Sequence, residues 1–176
     1  MNKKITSLIL ALAMMPCFVS SFAKDDEKKP QVKVAEAAYG TPVIDGEQDS
    51  VWNSTNYNVF DNVVGSDSTF YKGWFKVLWD EENMYMLAKV YSEQFSNMDV
   101  SPWENDSIEY FIDEDCMRTT TYFDDDYQLR IGFDSALSAN NYDVNNMTGK
   151  AIKGDNYYIA ELSFPYKTVT PYDGME

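Results

Sequence analysis

The chain contains no histidine and only two cysteines among its 176 residues. The lack of histidine excludes His-dependent nucleophilic triads and His-ligated zinc. One cysteine, Cys17, lies in an N-terminal apolar segment and the other, Cys116, lies in the body of the chain. A mature chain without the first segment therefore has no internal disulfide, and its stability must come from the hydrophobic core and from any bound metal.

Basic residues are scarce as well. The 14 Lys and Arg stand against 29 Asp and Glu, which gives a formal net charge of −15. Removal of an N-terminal segment that holds Lys3, Lys4 and no acidic residue moves this charge from −15 to −17. Such a surface repels phosphate backbones and anionic lipid, which excludes nucleic acid and membrane surfaces as partners, and it attracts divalent cations.

The only long apolar run, Ile5 to Met15, follows Lys3-Lys4 and precedes Ser21-Phe22-Ala23. This order is typical of a secretory signal peptide cleaved after Ala23, and the run is too short to span a bilayer. A competing interpretation makes Cys17 a lipid-attachment site, although the residues before it are not the usual small ones.

We therefore divide the chain into a signal peptide (1–23), a charged linker (24–38) and one exported domain (39–176), bound for the cell exterior or the periplasm. The length of the last part suffices for one domain with a proper core.

The pattern of the domain is all-β, with no sustained helical periodicity. Short runs rich in β-branched and aromatic residues are separated by Asn, Asp, Ser and Thr, as in an antiparallel β-sandwich of the jelly-roll kind. We expect Trp52, Trp74 and Trp79 to serve packing. The predicted strands are a start at Val43 to Asp45, a hairpin of Lys76 to Trp79 with Met84 to Tyr91, then Ser107 to Asp113, Tyr127 to Phe133 and Tyr157 to Phe164.

One strand carries chemistry on a single face. Between Ser107 and Asp113, alternate residues predict a core face with Ile108 and an opposite face with Glu109. Trp103 precedes this strand on a Pro-led turn, so an indole and a carboxylate lie near each other. This pair suits a sugar, which stacks its C–H face on the ring and directs hydroxyls to polar groups, but a buried Trp with a solvated Glu fits the same spacing.

The next strand repeats the pattern. Its apolar face places Arg130 on the same side of the sheet as Glu109 if both strands face one core. A donor and an acceptor beside Trp103 suit sugar hydroxyls, while the alternative is a cross-strand salt bridge worth under ~1 kcal/mol. Gly132 leaves a gap in this face that a ligand or a neighbouring backbone could fill.

Three consecutive aspartates, Asp124, Asp125 and Asp126, separate the two strands. They repel one another unless they are solvated or share a cation, and hard oxygen ligands favour Ca²⁺. The run lacks EF-hand spacing, so a solvated acidic loop is the alternative.

Taken together, these residues resemble carbohydrate-binding module family 9, a β-sandwich module of secreted bacterial xylanases. The resemblance runs from about Tyr39 onward and rests on motifs in order: Thr41-Pro42-Val43-Ile44-Asp45-Gly46, Val77-Leu78-Trp79-Asp80, Met84-Tyr85, Pro102 to Asp113, Asp124-Asp125-Asp126 and Gln128-Leu129-Arg130.

The resemblance implies binding of glucan or xylan chain ends, structural Ca²⁺, and a sugar held between two Trp rings. It implies that Trp103 is one stacking ring, Glu109 the sugar-binding carboxylate and Arg130 the sugar-binding guanidinium. It also implies a role in directing a xylanase-like glycoside hydrolase to its substrate. Gly132 stands where the family can carry a ligand-contacting Asn, and no Trp follows Trp103, so we expect a module truncated at its C-terminus.

Two other classes of function fit less well. Glu109 with Asp106 or Asp113 could form a two-carboxylate glycosidase site, but side chains only three and four residues away along the chain do not flank a bond from opposite sides. A surface or adhesion domain without sugar binding fits the same sandwich. Exposure of Trp103 separates the two non-catalytic functions, since a sugar binder exposes this ring and a structural domain buries it.

Overall fold

The computed structural model describes residues 34–60, 72–169 and 171–172. The predicted signal peptide, including Cys17, lies outside these residues. The described part has nine β-strands, three short 3₁₀ helices and no α-helix. Within it, no helix has the length and apolar character needed to cross a membrane.

The strands follow the chain in order, and all but two are longer than two residues. They are β1 Ala38–Tyr39, β2 Asn58–Val59, β3 Lys72–Trp79, β4 Asn83–Tyr91, β5 Ser107–Asp113, β6 Asp126–Gly132, β7 Leu137–Asn140, β8 Thr148–Lys153 and β9 Tyr157–Pro165. The 3₁₀ helices are Ser50–Ser54, Pro102–Glu104 and Val144–Asn146.

Two sheets form a sandwich, which confirms the all-β fold class. The larger sheet has the order β1-β3-β4-β9-β8, with β2 also paired to β3, and the smaller has the order β5-β6-β7. Strand pairing is antiparallel except between β1 and β3, which run parallel. The predicted hairpin of β3 and β4 is present.

The main core lies between the sheets and consists of alternate residues from both. The alternation predicted for β5 holds, because Ile108 and Tyr110 are buried whereas Phe111 is 65% exposed. Leu129 and Ile131 of β6 meet Met86, Leu162 and Phe164 of the larger sheet in the same cluster. The polar face of the smaller sheet is therefore turned away from the core.

A second cluster covers the outer face of the larger sheet around Trp52, which is fully buried as expected of a packing residue. Its indole Nε1 donates to Glu161 Oε1 at 2.8 Å, and Lys76 Nζ donates to the Trp52 carbonyl at 2.7 Å. Trp79 is also buried, and Trp74 packs against this cluster. The three Trp residues assigned to packing thus lie in or beside the cores.

The prediction of a strand at Val43 to Asp45 is wrong. These residues form a bend in which the amides of Asp45 and Gly46 both donate to Glu161 Oε2, at 3.0 and 2.8 Å. The backbone is thus satisfied by a buried carboxylate instead of a neighbouring strand. Gly46 takes a positive φ of 88°, a conformation in which glycine carries little penalty.

Candidate functional site

The predicted polar pair stands on neighbouring strands in direct register. Glu109 of β5 lies opposite Arg130 of β6, so both side chains leave the same face of the smaller sheet. The Arg130 Nε donates to Glu109 Oε1 in a salt bridge. The side chain of Arg130 is 5% exposed and that of Glu109 is 25% exposed. The structure therefore brings together two of the three residues predicted for sugar binding.

Two amides extend this pair into a row. Gln128 Nε2 donates to Glu109 Oε2 at 2.6 Å, and Asn140 Nδ2 donates to Gln128 Oε1 at 2.9 Å. Both oxygens of Glu109 therefore accept hydrogen bonds from protein donors. These bonds fix the orientation of the carboxylate and of the Gln128 and Arg130 side chains. The sequence analysis did not select Gln128 or Asn140, although the place of Gln128 two residues before Arg130 on the same strand face was a usable signal.

Trp103 reaches the same site from the loop before β5. It lies in the 3₁₀ helix Pro102–Glu104, and its side chain is 60% exposed. The Arg130 guanidinium carbon is 5.8 Å from the centre of the indole ring, within the range of a cation–π contact. All three predicted site residues therefore meet at one place, with an exposed ring beside a largely buried ion pair.

The loop that carries Trp103 is closed by its own polar groups. Asp106 Oδ2 accepts the amide of Ser96 at 2.6 Å, and the Asp106 amide donates to the Ser96 carbonyl at 2.9 Å. The Asn105 side chain accepts the Asp99 amide and donates to its carbonyl, at 2.9 and 3.0 Å. These bonds hold the turn in place and present the indole to solvent.

The gap left by Gly132 is filled. A Cβ at this position would lie 2.6 Å from Asp134 Oδ1, so the carboxylate of Asp134 occupies the space above the glycine. Asp134 Oδ1 accepts the Ala136 amide at 3.0 Å and Asp134 Oδ2 accepts from Asn97 Nδ2 at 2.8 Å. The Asn97 side chain and the Ala136 amide both hold the pKa of this carboxyl below its ordinary value. Sequence reasoning missed Asp134 because it lies beyond the end of the strand.

The three residues of the acidic run, Asp124 to Asp126, lie in different surroundings. Asp125 lies with Asp113 and Asp115 in a group in which one carboxylate oxygen from each residue lies within 4.8 Å of the other two. Asp126 Oδ2 instead accepts the Phe123 amide at 2.8 Å, and Asp124 is exposed outside that group. Asp125 is thus the residue of the run that the fold places beside other carboxylates, while the prediction for Asp124, Asp125 and Asp126 as a set stays a prediction.

The chemistry of this group fits a hard cation. Asp113 Oδ1 and Asp125 Oδ2 are buried oxygens with no hydrogen-bond partner in the described residues. The Met117 amide lowers the pKa of Asp115, but burial and the nearby Asp125 and Asp113 outweigh it and raise that pKa above its ordinary value. Unpartnered and mutually repelling carboxylate oxygens are the donor set that Ca²⁺ prefers.

Comparison with known proteins adds to this geometry. Residues 44–176 match the family model "Carbohydrate family 9 binding domain-like". The chain is 41% identical over 147 residues to endo-1,4-beta-xylanase A of Thermotoga neapolitana, a match that covers 80% of this chain and 14% of that protein. The chain belongs to carbohydrate-binding module family 9.

Solved structures of family 9 modules share the fold. Two structures of a module from Caldicellulosiruptor kristjanssonii superpose with a TM-score of 0.71 each, one in complex with glucose and one in complex with cellotriose. The first is 28% identical and covers 77% of this chain and 70% of that chain; the second is 30% identical and covers 78% and 69%. The family 9 assignment therefore rests on both sequence and fold, and the module corresponds to a small part of the xylanase it matches.

Proposed function

We propose that this family 9 module binds chain ends of glucan or xylan by stacking a sugar ring on Trp103, with Glu109 and Arg130 contacting the hydroxyls. The observation that carries the proposal is the exposed indole beside a fixed ion pair. An aromatic face takes the apolar side of a pyranose, and the neighbouring donors and acceptors take its polar edge. The cellotriose and glucose complexes of the similar modules support a ligand of this class.

The exposure of Trp103 favours this function over a purely structural or adhesion domain. A structural domain has no reason to keep an indole 60% exposed on a turn that four hydrogen bonds within its own loop hold in place. Catalysis within the described residues is disfavoured, since both oxygens of Glu109 are bonded to Arg130 and Gln128. A carboxylate held in this way is a poor nucleophile or proton donor.

The biological context is part of the same proposal. We infer that the signal peptide predicted at 1–23 directs the chain out of the cytoplasm, and the match to a xylanase supports a role in polysaccharide breakdown. The module then holds a xylanase-like glycoside hydrolase on its insoluble substrate, which raises the local concentration of cleavable chain.

We further propose that Ca²⁺ supports the fold, with Asp113, Asp115 and Asp125 as its carboxylate ligands. Asp125 comes from the acidic run, whereas Asp113 ends β5 and Asp115 follows it. A cation at this point offsets the mutual repulsion of the three side chains and ties the β5–β6 connection together.

The test of sugar binding is the variant Trp103→Ala. Stacking on an aromatic ring is worth roughly 1–3 kcal/mol per nucleobase, and we take a sugar ring to be comparable. We expect titration calorimetry with cellotriose or xylotriose to show affinity reduced about ten- to hundred-fold. Wild-type affinity in a variant with an unchanged melting curve contradicts the stacking role.

Tyr122→Ala is the matched control. Tyr122 is 55% exposed and follows the end of β5, whereas Trp103 precedes its start. The Tyr122→Ala variant should bind both oligosaccharides with the affinity of the wild type. If the wild type itself binds neither, the proposed function fails.

A further inference from the structure

A pocket of about 210 Å³ opens at the predicted sugar site and includes Arg130. It lies at the Gly132 end of the smaller sheet, between the loop that carries Trp103 and the turn that joins β6 to β7. Its lining includes Asn97, Asp106, Arg130, Gly132, Asp134 and Ser138. The volume exceeds that of several waters at about 30 Å³ each and falls below that of pockets for drug-sized ligands, so it suits one sugar residue.

The guanidinium in this pocket has unused donors. Arg130 is only 4% exposed, and its Nε is bonded to Glu109. In the described part of the chain, no group accepts a hydrogen bond from its two terminal nitrogens. A guanidinium carries five N–H donors. Neither terminal nitrogen is among the buried side-chain atoms that lack a partner, so water reaches both, and hydroxyl oxygens of a ligand can replace that water.

The acceptor of the pocket is the carboxylate of Asp134. It lies over Gly132 and is held by the Asn97 side chain and the Ala136 amide, so its position is set before a ligand arrives. An ionised carboxylate has about four lone-pair sites, of which these two bonds use two. The others can accept hydroxyl protons at the place where a side chain at position 132 is missing.

The charges of the pocket select for a neutral ligand. Two carboxylates, Asp106 and Asp134, line it together with one cation, and that cation is already paired with Glu109. Arginine donors beside carboxylate acceptors satisfy hydroxyl groups, which both accept and donate. A uronic acid would bring a further negative charge next to Asp134, which costs binding energy at short range.

We propose that Asp134 is a specificity-determining residue that excludes uronic acids from the sugar site formed by Trp103 and Arg130. This inference rests on the proposed sugar binding at Trp103 and names a selectivity that the stacking ring alone does not provide.

The experiment measures discrimination between two ligands by titration calorimetry at low ionic strength, where charge effects are largest. The ligands are xylotriose and a xylotriose that carries a glucuronic acid branch. We expect wild type to prefer the neutral ligand by at least about tenfold, which corresponds to 1.4 kcal/mol. Asp134→Asn keeps the size of the side chain and removes its charge, so the preference should fall about fivefold or more.

Asp143→Asn is the matched control, because Asp143 Oδ1 accepts the amide two residues ahead just as Asp134 Oδ1 does, at the same 3.0 Å. It should keep the wild-type preference. A second variant, Gly132→Ala, pushes the Asp134 carboxylate aside without a change of charge and should weaken xylotriose binding several-fold.

The outcomes separate this inference from the proposed function. If wild type binds xylotriose and Trp103→Ala does not, but Asp134→Asn discriminates as wild type does, the role of Asp134 is wrong and the stacking site stands. If wild type shows no preference against the charged ligand, the exclusion of uronic acids is wrong. If wild type binds neither ligand, both proposals fall. Thermal melts of each variant show whether a loss of binding reflects loss of the fold.

Discussion

Glu109 lies at the proposed sugar site and also pairs with a buried charge. It accepts hydrogen bonds from both Arg130 and Gln128, and the guanidinium that it pairs with is almost fully buried. Removing one partner of such a pair leaves the other charge with neither water nor a counter-charge. The Glu109 carboxylate therefore contributes to the stability of the fold.

We predict that Glu109→Gln lowers the free energy of unfolding as well as sugar affinity. The amide offers one oxygen where two donors need one each, and its NH₂ group faces a donor. The expected loss is about 1–3 kcal/mol, as for hydrogen bonds to charged groups. Chemical denaturation measures it, and Asp155→Asn, a change at an exposed turn, is the control that should melt as wild type does. A fully stable Glu109→Gln protein would show that the pair contributes nothing to folding.

Some site residues could be predicted from the sequence and others could not. The two-residue period of strands placed Glu109 and Arg130 on one face, and the Pro-led turn placed Trp103 near them, because both follow from local geometry. The cluster of Asp113, Asp115 and Asp125 did not follow. It depends on a connection in which Cys116 and Arg118 take positive φ values of 58° and 52°, and no local pattern encodes that conformation at these residue types.

At the level of elements, the strands that were recognised are those with a buried face and clear alternation, such as β3, β4, β5, β6 and β9. The missed strands β7 and β8 lie at the edges of their sheets, and their sequences are mostly small or polar. Their pairing is set by β6 and β9, so periodicity alone does not identify them. The parallel pairing of β1 with β3 also joins segments far apart in sequence, so local periodicity does not predict it.

Hydrogen bonds to Glu114 connect the segment after β9 to the end of β5. This carboxylate accepts the Tyr127 hydroxyl at 2.6 Å and the amides of Lys167, Thr168 and Val169 at 2.9, 2.8 and 3.1 Å. Burial raises the pKa of Glu114, but the hydrogen bonds from Tyr127, Lys167 and Thr168 outweigh it and hold the pKa below its ordinary value.

We predict that this contact is lost in acid. A carboxyl whose pKa is lower in the folded state contributes stability above the unfolded pKa of about 4.3 and loses it as the pH falls through the folded value. Glu114→Gln should therefore melt lower than wild type at pH 7, and the two should converge as the pH falls below about 4. Thermal melts across this range provide the measurement. Glu93→Gln, at an exposed position, should follow wild type throughout, and a gap for Glu114→Gln that does not narrow in acid would rule out the linkage.

The molecule as a whole has far more acidic than basic groups, and its net charge of −15 opposes compaction by self-repulsion. The exposed Cys116 is free, and no disulfide is available among the described residues to offset this. A divalent cation bound only by the folded state lowers the local charge and stabilises by mass action, by about 2.7 kcal/mol at a hundred times its Kd.

We predict that Ca²⁺ raises the melting temperature and that a chelator reverses the effect. Since 1 kcal/mol shifts the melting temperature by about 2–4 °C in a chain of this size, the expected rise is about 5–10 °C. Asp125→Asn should abolish the rise while leaving the chelated protein as stable as wild type or more so, because it removes repulsion from Asp115 and Asp113. Asp124→Asn, one residue away and outside the cluster, should keep the full response. Equal melting curves with chelator and with Ca²⁺ contradict a structural cation. If the rise in melting temperature with Ca²⁺ is lost in Asp124→Asn but kept in Asp125→Asn, the cation binds at a different part of the acidic run.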